Sequence, residues 1–258
     1  MFLRRGIPCR EPLSHINFRF VLVSSERSAT SHPISRLAHI AAGAFSFTLI
    51  FAIVALAQDH RQGEPGRFDF YVLALSWSPS YCDAAQDRRP NRAPDRQCAG
   101  RPFAFVVHGL WPQYERGFPS YCQVPAPRLD RATVGNMLDL MPSPRLIFHE
   151  WDQHGTCSGL SPRAYFDAVR KARAVVKIPP DYRNLDKPIS VTPFEVAEAF
   201  VKANPGLSRA AMAVSCDGKR LTEVRVCLGK DFSFRDCTEI ARQACRLNKV
   251  SMPAVRGR

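Results

Sequence analysis

The chain has 258 residues and a formal net charge of +13, with 36 Lys and Arg against 23 Asp and Glu. This balance is expected of a protein that meets polyanions, although an ordinary basic secreted protein has it too. The sequence shows neither an internal repeat nor a low-complexity linker, which excludes a repeat array and gives no sign of a second globular domain.

The first 57 residues are predicted to be a signal peptide rather than part of the folded domain. They hold six Arg against two Glu and end in an apolar run over 40–57, where Ala55 and Ala57 are typical of a signal-peptidase site before Gln58. An uncleaved anchor is the alternative, because about 18 apolar residues are borderline for a membrane span. Residues 58–258 are predicted to form one secreted or periplasmic domain. Because the leader carries +4 of the chain's +13, this domain has a formal charge of +9.

The cysteine count agrees with export. Eight of the nine cysteines follow the leader, at positions Cys82, Cys98, Cys122, Cys157, Cys216, Cys227, Cys237 and Cys245. An even number after an export signal predicts disulfides, whereas zinc ligation is a poor alternative because no pair has CxxC spacing.

The predicted elements begin with strands. Phe68–Ser76 is rich in aromatic and aliphatic residues and reads as a central strand, and Phe103–Val107 reads as a strand buried on both faces. The second strand runs into the string HGLWPQ, so His108 is expected where the strand gives way to a loop. Proline-broken stretches over 88–97 and near Gly117 are predicted loops.

Helices follow, and then further strands. Arg163–Lys177 has the pattern of an amphipathic helix, and Thr192 with Glu195 predicts a capped helix that ends near Asn204. Ala211–Ser215 and Thr222–Leu228 are predicted strands. This order favours an α+β fold in which helices back an antiparallel sheet.

The stretch Phe148–Leu160, FHEWDQHGTCSGL, concentrates ionisable side chains: His149, Glu150 and His154. A zinc peptidase of the HExxH type is the first alternative, but the two histidines are five apart and project roughly 140° apart on a helix. Two histidines and a carboxylate without a metal indicate general acid–base catalysis, because imidazole titrates near neutral pH.

RNA cleavage needs such a pair. One imidazole takes the proton of the ribose 2′-OH as it attacks phosphorus, and the other gives a proton to the departing 5′-oxygen. Further donors hold the charged phosphorane.

The strings HGLWP and HEWxxHGTC, in this order, resemble the two active-site signatures of the ribonuclease T2 family. The opening strand followed by WSPSYC and the string EVRVC extend the resemblance over Phe68–Cys245. The resemblance implies the same α+β fold and cleavage of single-stranded RNA without metal or cofactor, through a 2′,3′-cyclic phosphate to 3′-phosphates. The bound partner would be RNA, and family precedent favours a monomer.

The resemblance also implies residue roles. His108 would be the general acid and His154 the general base, His149 would contact the phosphate, and Glu150 would polarise it or orient its neighbours. Trp111 either stacks on a base or packs in the core. Trp151 is interpreted as a packing residue, and no base preference is predicted.

Gln153 departs from the family pattern, which has Lys at this position. Gln brings no charge, so the alternative function is a catalytically weakened RNA-binding relative. Arg145 and Arg163 are two candidates for a compensating cation.

The resemblance pairs Cys122 with Cys157, which ties the loop after the first signature to the second. We also predict Cys82–Cys98, Cys216–Cys245 and Cys227–Cys237, although eight cysteines allow 105 pairings.

Overall fold

The computed structural model describes residues 63–91, 93–94 and 96–255, which lie in one compact unit over 58–258. The predicted leader, its cleavage site and the anchor alternative lie outside the described residues. Within the described part, no helix is long and apolar enough to cross a membrane.

A four-stranded antiparallel sheet forms the centre of the domain, in the order β2-β1-β5-β4, and a two-stranded sheet pairs β3 with β6. The strands are β1 (Phe70–Trp77), β2 (Phe105–Gln113), β3 (Ile189–Val191), β4 (Met212–Cys216), β5 (Leu221–Leu228) and β6 (Val250–Met252). The helices are α1 (Ser78–Arg88), α2 (Arg96–Ala99), α3 (Arg131–Met137), α4 (Pro144–Gln153), α5 (Pro162–Val175), α6 (Pro193–Ala203) and α7 (Thr238–Arg242). The predicted α+β class, with helices on an antiparallel sheet, is confirmed.

The central strand β1 is buried on both faces, as its composition predicts. Side chains alternate along a strand, so Tyr71, Leu73 and Leu75 enter the main core while Phe70 and Val72 enter a smaller cluster on the opposite face. The main core includes α5 and α6 residues. The sheet therefore separates two apolar layers.

Most predicted elements are confirmed with shifted ends. The helix predicted over Arg163–Lys177 is α5, and the capping box of Thr192 and Glu195 starts α6 as predicted. The loop predicted over 88–97 is interrupted by α2, because the string RQCA forms a helical turn.

The expectation that His108 ends a strand is wrong. β2 continues through HGLWPQ to Gln113, paired with β1 along its length. The register shifts where Ala74 faces Gly109 and Leu75 faces Val107, which leaves His108 as the extra residue of a β-bulge. A bulge bends the strand and redirects the side chain, so His108 leaves the sheet without the strand having to end.

All four predicted disulfides are confirmed: Cys82–Cys98, Cys122–Cys157, Cys216–Cys245 and Cys227–Cys237. The second joins the loop after β2 to the turn after α4. It therefore ties together the two segments that carry the sequence signatures.

Candidate active site

The second signature forms α4 and the turn that follows. Ser143 caps the helix and Pro144 occupies its first turn, so the helix start is encoded locally. Glu150 and His154 lie one turn apart, with His154 as the C-cap residue whose N–H bonds the Glu150 carbonyl, 3.0 Å away. Their four-residue spacing predicts that the two side chains share one face of the helix. In the structure that face is turned toward β2, where Glu150 contacts His108 and His154 contacts Trp111.

Gly109 is the residue that lets α4 approach β2. A Cβ at this position would lie 1.8 Å from Glu150 Oε2 and 2.4 Å from Trp111 Nε1. A Cβ fits there only if the Glu150 carboxylate and the Trp111 ring move away, which accounts for the Gly between the signature's His and its Leu-Trp pair.

Trp111 connects the two histidines. Its ring centroid lies 5.3 Å from that of His108 and 5.4 Å from that of His154, and its Nε1 donates to Glu150 Oε2 over 2.7 Å. The indole is half-buried, which fits neither a simple core residue nor a free stacking platform. By contrast, Trp151 is 1% exposed and donates to the Pro127 carbonyl, which confirms its interpretation as a packing residue.

Two carboxylates flank the His108 ring. Nδ1 contacts Glu223 Oε1, and Nε2 lies 3.4 Å from Glu150 Oε1. Burial alone would lower the pKa of His108, but the hydrogen bond and charge of Glu223, with the charge of Glu150, outweigh burial and raise the pKa above its usual value. His108 therefore favours its protonated form.

His154 has the opposite environment. It is 8% exposed, and within the described structure its Nδ1 is buried without a hydrogen-bond partner. Burial, together with the positive charges of His108 and His149, lowers the pKa of His154 to about 3. His154 is therefore neutral at physiological pH and has a lone pair available.

The two glutamates are also distinct. Burial raises the pKa of Glu150 to about 7, although the charge of His108 and the bond from Trp111 act against it. Burial would raise the pKa of Glu223 too, but the hydrogen bond and charge of His108, the charge of Arg225 and the bond from Ser76 lower it to about 2. Glu223 is thus the ionised partner of His108.

The remaining predicted residues lie at the rim. His149 is exposed on α4 and acts on His154 through its charge. Gln153 is half-buried, and its Oε1 accepts from the Tyr121 hydroxyl over 3.3 Å. Phe118, which was not among the predicted site residues, lies near His154 in a tilted arrangement with ring centroids 6.2 Å apart.

Neither candidate for a compensating cation reaches this cluster. Arg145 is exposed in the first turn of α4, about 12 Å along the helix from Gln153. Arg163 lines a separate cavity with Asp130 and Phe166. The arginine that reaches the site is Arg225 on β5, whose Cζ lies 5.3 Å from the Trp111 ring centroid.

Sequence reasoning did not identify Glu223 and Arg225 as site residues. Both lie on β5 in the string EVRVC, where the alternation predicts only that they share a face opposite Val224 and Val226. The signal available in the sequence was a glutamate two residues from an arginine within a predicted strand that is otherwise mostly apolar, because charges are rarely placed in such a strand without a partner.

No group of three or more His, Cys, Asp or Glu side chains in the described residues has the arrangement to hold a metal ion.

An α+β domain that places two histidines of opposite protonation preference beside one indole has the arrangement that acid–base chemistry requires. The model of the ribonuclease T2 family matches residues 68–237. The chain therefore belongs to the ribonuclease T2 family, and the resemblance of the two signatures is confirmed.

Individual relatives agree with the family match. The chain is 49% identical over 100 residues to a ribonuclease of Aeromonas hydrophila, covering 39% of this chain and 42% of the relative. It is 29% identical over 194 residues to a probable ribonuclease of Haemophilus influenzae, covering 71% and 66%. The matched segments thus span less than two thirds of these two relatives. The crystal structure of RNase NT in complex with 5′-AMP is similar with a TM-score of 0.58 and 28% identity, covering 72% of this chain and 98% of that one.

Proposed function

We propose that the protein is an endoribonuclease that cleaves single-stranded RNA by metal-independent transphosphorylation, with little base specificity. One observation carries the proposal: His108 and His154 both pack against Trp111, with ring centroids 5.3 and 5.4 Å from the indole, in surroundings that favour the protonated form of the first and the neutral form of the second. This is the division of states that a general acid and a general base require at the start of the reaction.

The reaction balances with these two side chains. Neutral His154 takes the proton of the ribose 2′-OH as that oxygen bonds phosphorus, and His108 gives its proton to O5′ as the P–O5′ bond breaks. The products are a 2′,3′-cyclic phosphate and a 5′-hydroxyl. In the second step water attacks the cyclic phosphate with the two roles reversed, which leaves a 3′-phosphate and restores both imidazoles.

Residues next to the two histidines would stabilise the negative charge of the phosphate and of the phosphorane. His149 at the rim would contact the phosphate. Glu150 has a pKa of about 7, so it exists partly as a carboxylic acid that can donate a hydrogen bond to the phosphorane. A charge of +9 on 58–258 favours encounter with RNA through phosphate contacts, which weaken with salt.

The test is release of acid-soluble nucleotides from single-stranded RNA by the purified, oxidised protein in the presence of a chelator. We expect activity, 2′,3′-cyclic intermediates, and a loss of about 100- to 10,000-fold in kcat for His154→Ala and for His108→Ala. Nearly full activity of either variant would contradict the two-histidine mechanism, and loss of activity in chelator would favour metal-dependent hydrolysis.

A weakened RNA-binding relative is the second candidate, because Gln153 supplies no charge where the family has Lys. Gln153→Lys is expected to raise kcat by about 10-fold or more, since one charged contact to the transition state is typically worth that much. Gln153→Ala serves as the control for lost side-chain contacts. An unchanged rate in Gln153→Lys would mean that this position does not limit catalysis, and RNA binding without cleavage by the wild type would establish the second candidate.

We also propose that the protein acts outside the cytoplasm as a monomer. Four disulfides support an oxidising compartment. Mass spectrometry of the exported protein, read for a new N-terminus at Gln58, tests cleavage of the leader.

A further inference from the structure

Glu223 is nearly buried, and both of its carboxylate oxygens are held. Oε1 contacts His108 Nδ1 and accepts from the Ser76 hydroxyl over 3.0 Å. Oε2 accepts from Arg225 Nε over 3.1 Å. Ser76 is also the cross-strand partner of Glu223 between β1 and β5, so the sheet itself orients the carboxylate.

Arg225 is held in turn. Its Nη1 lies 3.3 Å from Gln243 Oε1, and its guanidinium covers the Trp111 ring. Because Trp111 bonds Glu150 and Glu150 faces His108, the contacts form a closed ring of five side chains: His108, Glu223, Arg225, Trp111 and Glu150. Each of the five side chains therefore contacts at least two of the others.

His108 needs this support because of where it lies. As the extra residue of the bulge, it has no opposite partner in the β1 register to fix its direction. A carboxylate on Nδ1 fixes both the ring orientation and the tautomer. Nε2 is then the only ring atom left for chemistry.

We propose that Glu223 is the positioning residue for His108, holding the Nδ1 proton so that Nε2 delivers the proton that leaves with O5′. This inference rests on the proposed function and adds to it a residue outside both sequence signatures. The Nδ1 proton stays on the ring throughout, and only the Nε2 proton moves. Arg225 serves Glu223 by neutralising it and holding its second oxygen.

The charged groups around His108 come from two elements. β5 supplies Glu223 and Arg225, and α4 with its C-cap supplies Glu150 and His154. Glu223 makes the direct hydrogen bond, whereas Arg225 opposes the proton through space. Loss of the Glu223 charge therefore leaves burial and Arg225 acting against a single carboxylate, Glu150.

The first experiment measures the imidazole rather than the reaction. In ¹⁵N NMR of the wild-type protein without RNA, neutral His108 is expected as the Nδ1–H tautomer. In Glu223→Gln, which preserves shape, the midpoint of His108 titration is expected to fall by about one pH unit or more. An Nε2–H tautomer in the wild type, or an unchanged midpoint in the variant, would overturn the proposal.

The second experiment follows cleavage of single-stranded RNA. Glu223→Gln is expected to lower kcat by about 10- to 100-fold, to leave KM within about twofold, and to move the alkaline limb of the pH profile to lower pH. In a His108→Ala background the same substitution is expected to have no further effect, because Glu223 acts through His108. An additive loss in the double variant would assign Glu223 another role.

Glu198→Gln is the matched control, since it removes one carboxylate from an exposed ion pair with Arg209 and is expected to leave rate and pH profile unchanged. If Glu223→Gln does not fold, the tautomer of the wild type still decides the question. A wild type that cleaves no RNA but shows the Nδ1–H tautomer would refute the proposed function and not the positioning.

Discussion

His108 and His154 are the same side chain in two environments, and the difference between them is produced by their neighbours. His108 has a carboxylate at each ring nitrogen, whereas His154 lies among aromatic rings with its Nδ1 unpartnered in the described structure. Because opposite charge favours the imidazolium and burial disfavours it, the pKa values move apart. Separated pKa values in one site are a signature of acid–base assignment.

The pH dependence of kcat/KM follows from these shifts. The base must be neutral, so activity is lost as pH falls through the pKa of His154, about 3. The proposed acid, His108, must be protonated, so we expect activity to fall as pH rises through its pKa, which the carboxylates of Glu223 and Glu150 raise above the usual value against the effect of burial. We expect a plateau over mildly acidic pH, measured between pH 2.5 and 9 with circular dichroism to check folding. An acid limb centred near pH 6.5 would contradict the environment described for His154.

At the scale of elements, the site depends on how closely α4 approaches β2. Gly109 sets that distance on the strand, and Glu150 occupies the space that a side chain would need. This packing contact also fixes the position of Glu150, which contacts His108 and Trp111 as well.

Gly109→Ala is expected to lower the free energy of unfolding by about 1–3 kcal/mol, the usual cost of overpacking, and to lower kcat by about 10-fold or more by displacing Glu150. Gly135→Ala is the control, because a Cβ there meets open space in α3 and is expected to stabilise the protein by about 0.5–1 kcal/mol. Urea unfolding and RNA cleavage measure both effects. Equal behaviour of the two variants would show that the close approach is not needed.

At the scale of the whole molecule, the Cys122–Cys157 disulfide joins two segments 35 residues apart in sequence. Near it, the backbone N–H of Tyr121 donates to the Gln153 carbonyl over 2.9 Å. The disulfide and this hydrogen bond together hold the loop after β2 against the C-terminal end of α4, the helix that carries Glu150 and precedes His154.

Replacing Cys122 and Cys157 by Ser is expected to lower the free energy of unfolding by about 4 kcal/mol, from loop closure, and to lower kcat as well. Replacing Cys82 and Cys98, which are 16 residues apart and join α1 to α2, is the comparison. Its expected cost is about 3 kcal/mol with kcat retained in the folded protein. If the variant without Cys82–Cys98 lost activity and the variant without Cys122–Cys157 kept it, the Cys122–Cys157 disulfide would have no special role in the site.

Local patterns determined much of this protein. The capping box at Thr192, the alternation in β5 and the two signatures are properties of neighbouring residues, so α6, β5 and the family were predictable without a structure. Four cysteine pairs were predicted correctly, one of them from the family resemblance. The roles of His108, His149, Glu150, Gln153 and His154 stay predictions until the variants are measured.

The tertiary structure decided what depends on long-range contacts. The bulge at His108 exists only in the pairing of β1 with β2, so a loop was expected where the strand in fact continues. Glu223 is 115 residues from His108 in sequence and meets it because β1 lies between β2 and β5 in the sheet. The sequence by itself determined which residue types carry the chemistry. Folding decided which of them touch and hence which imidazole holds a proton, because burial and charge act through space rather than along the chain.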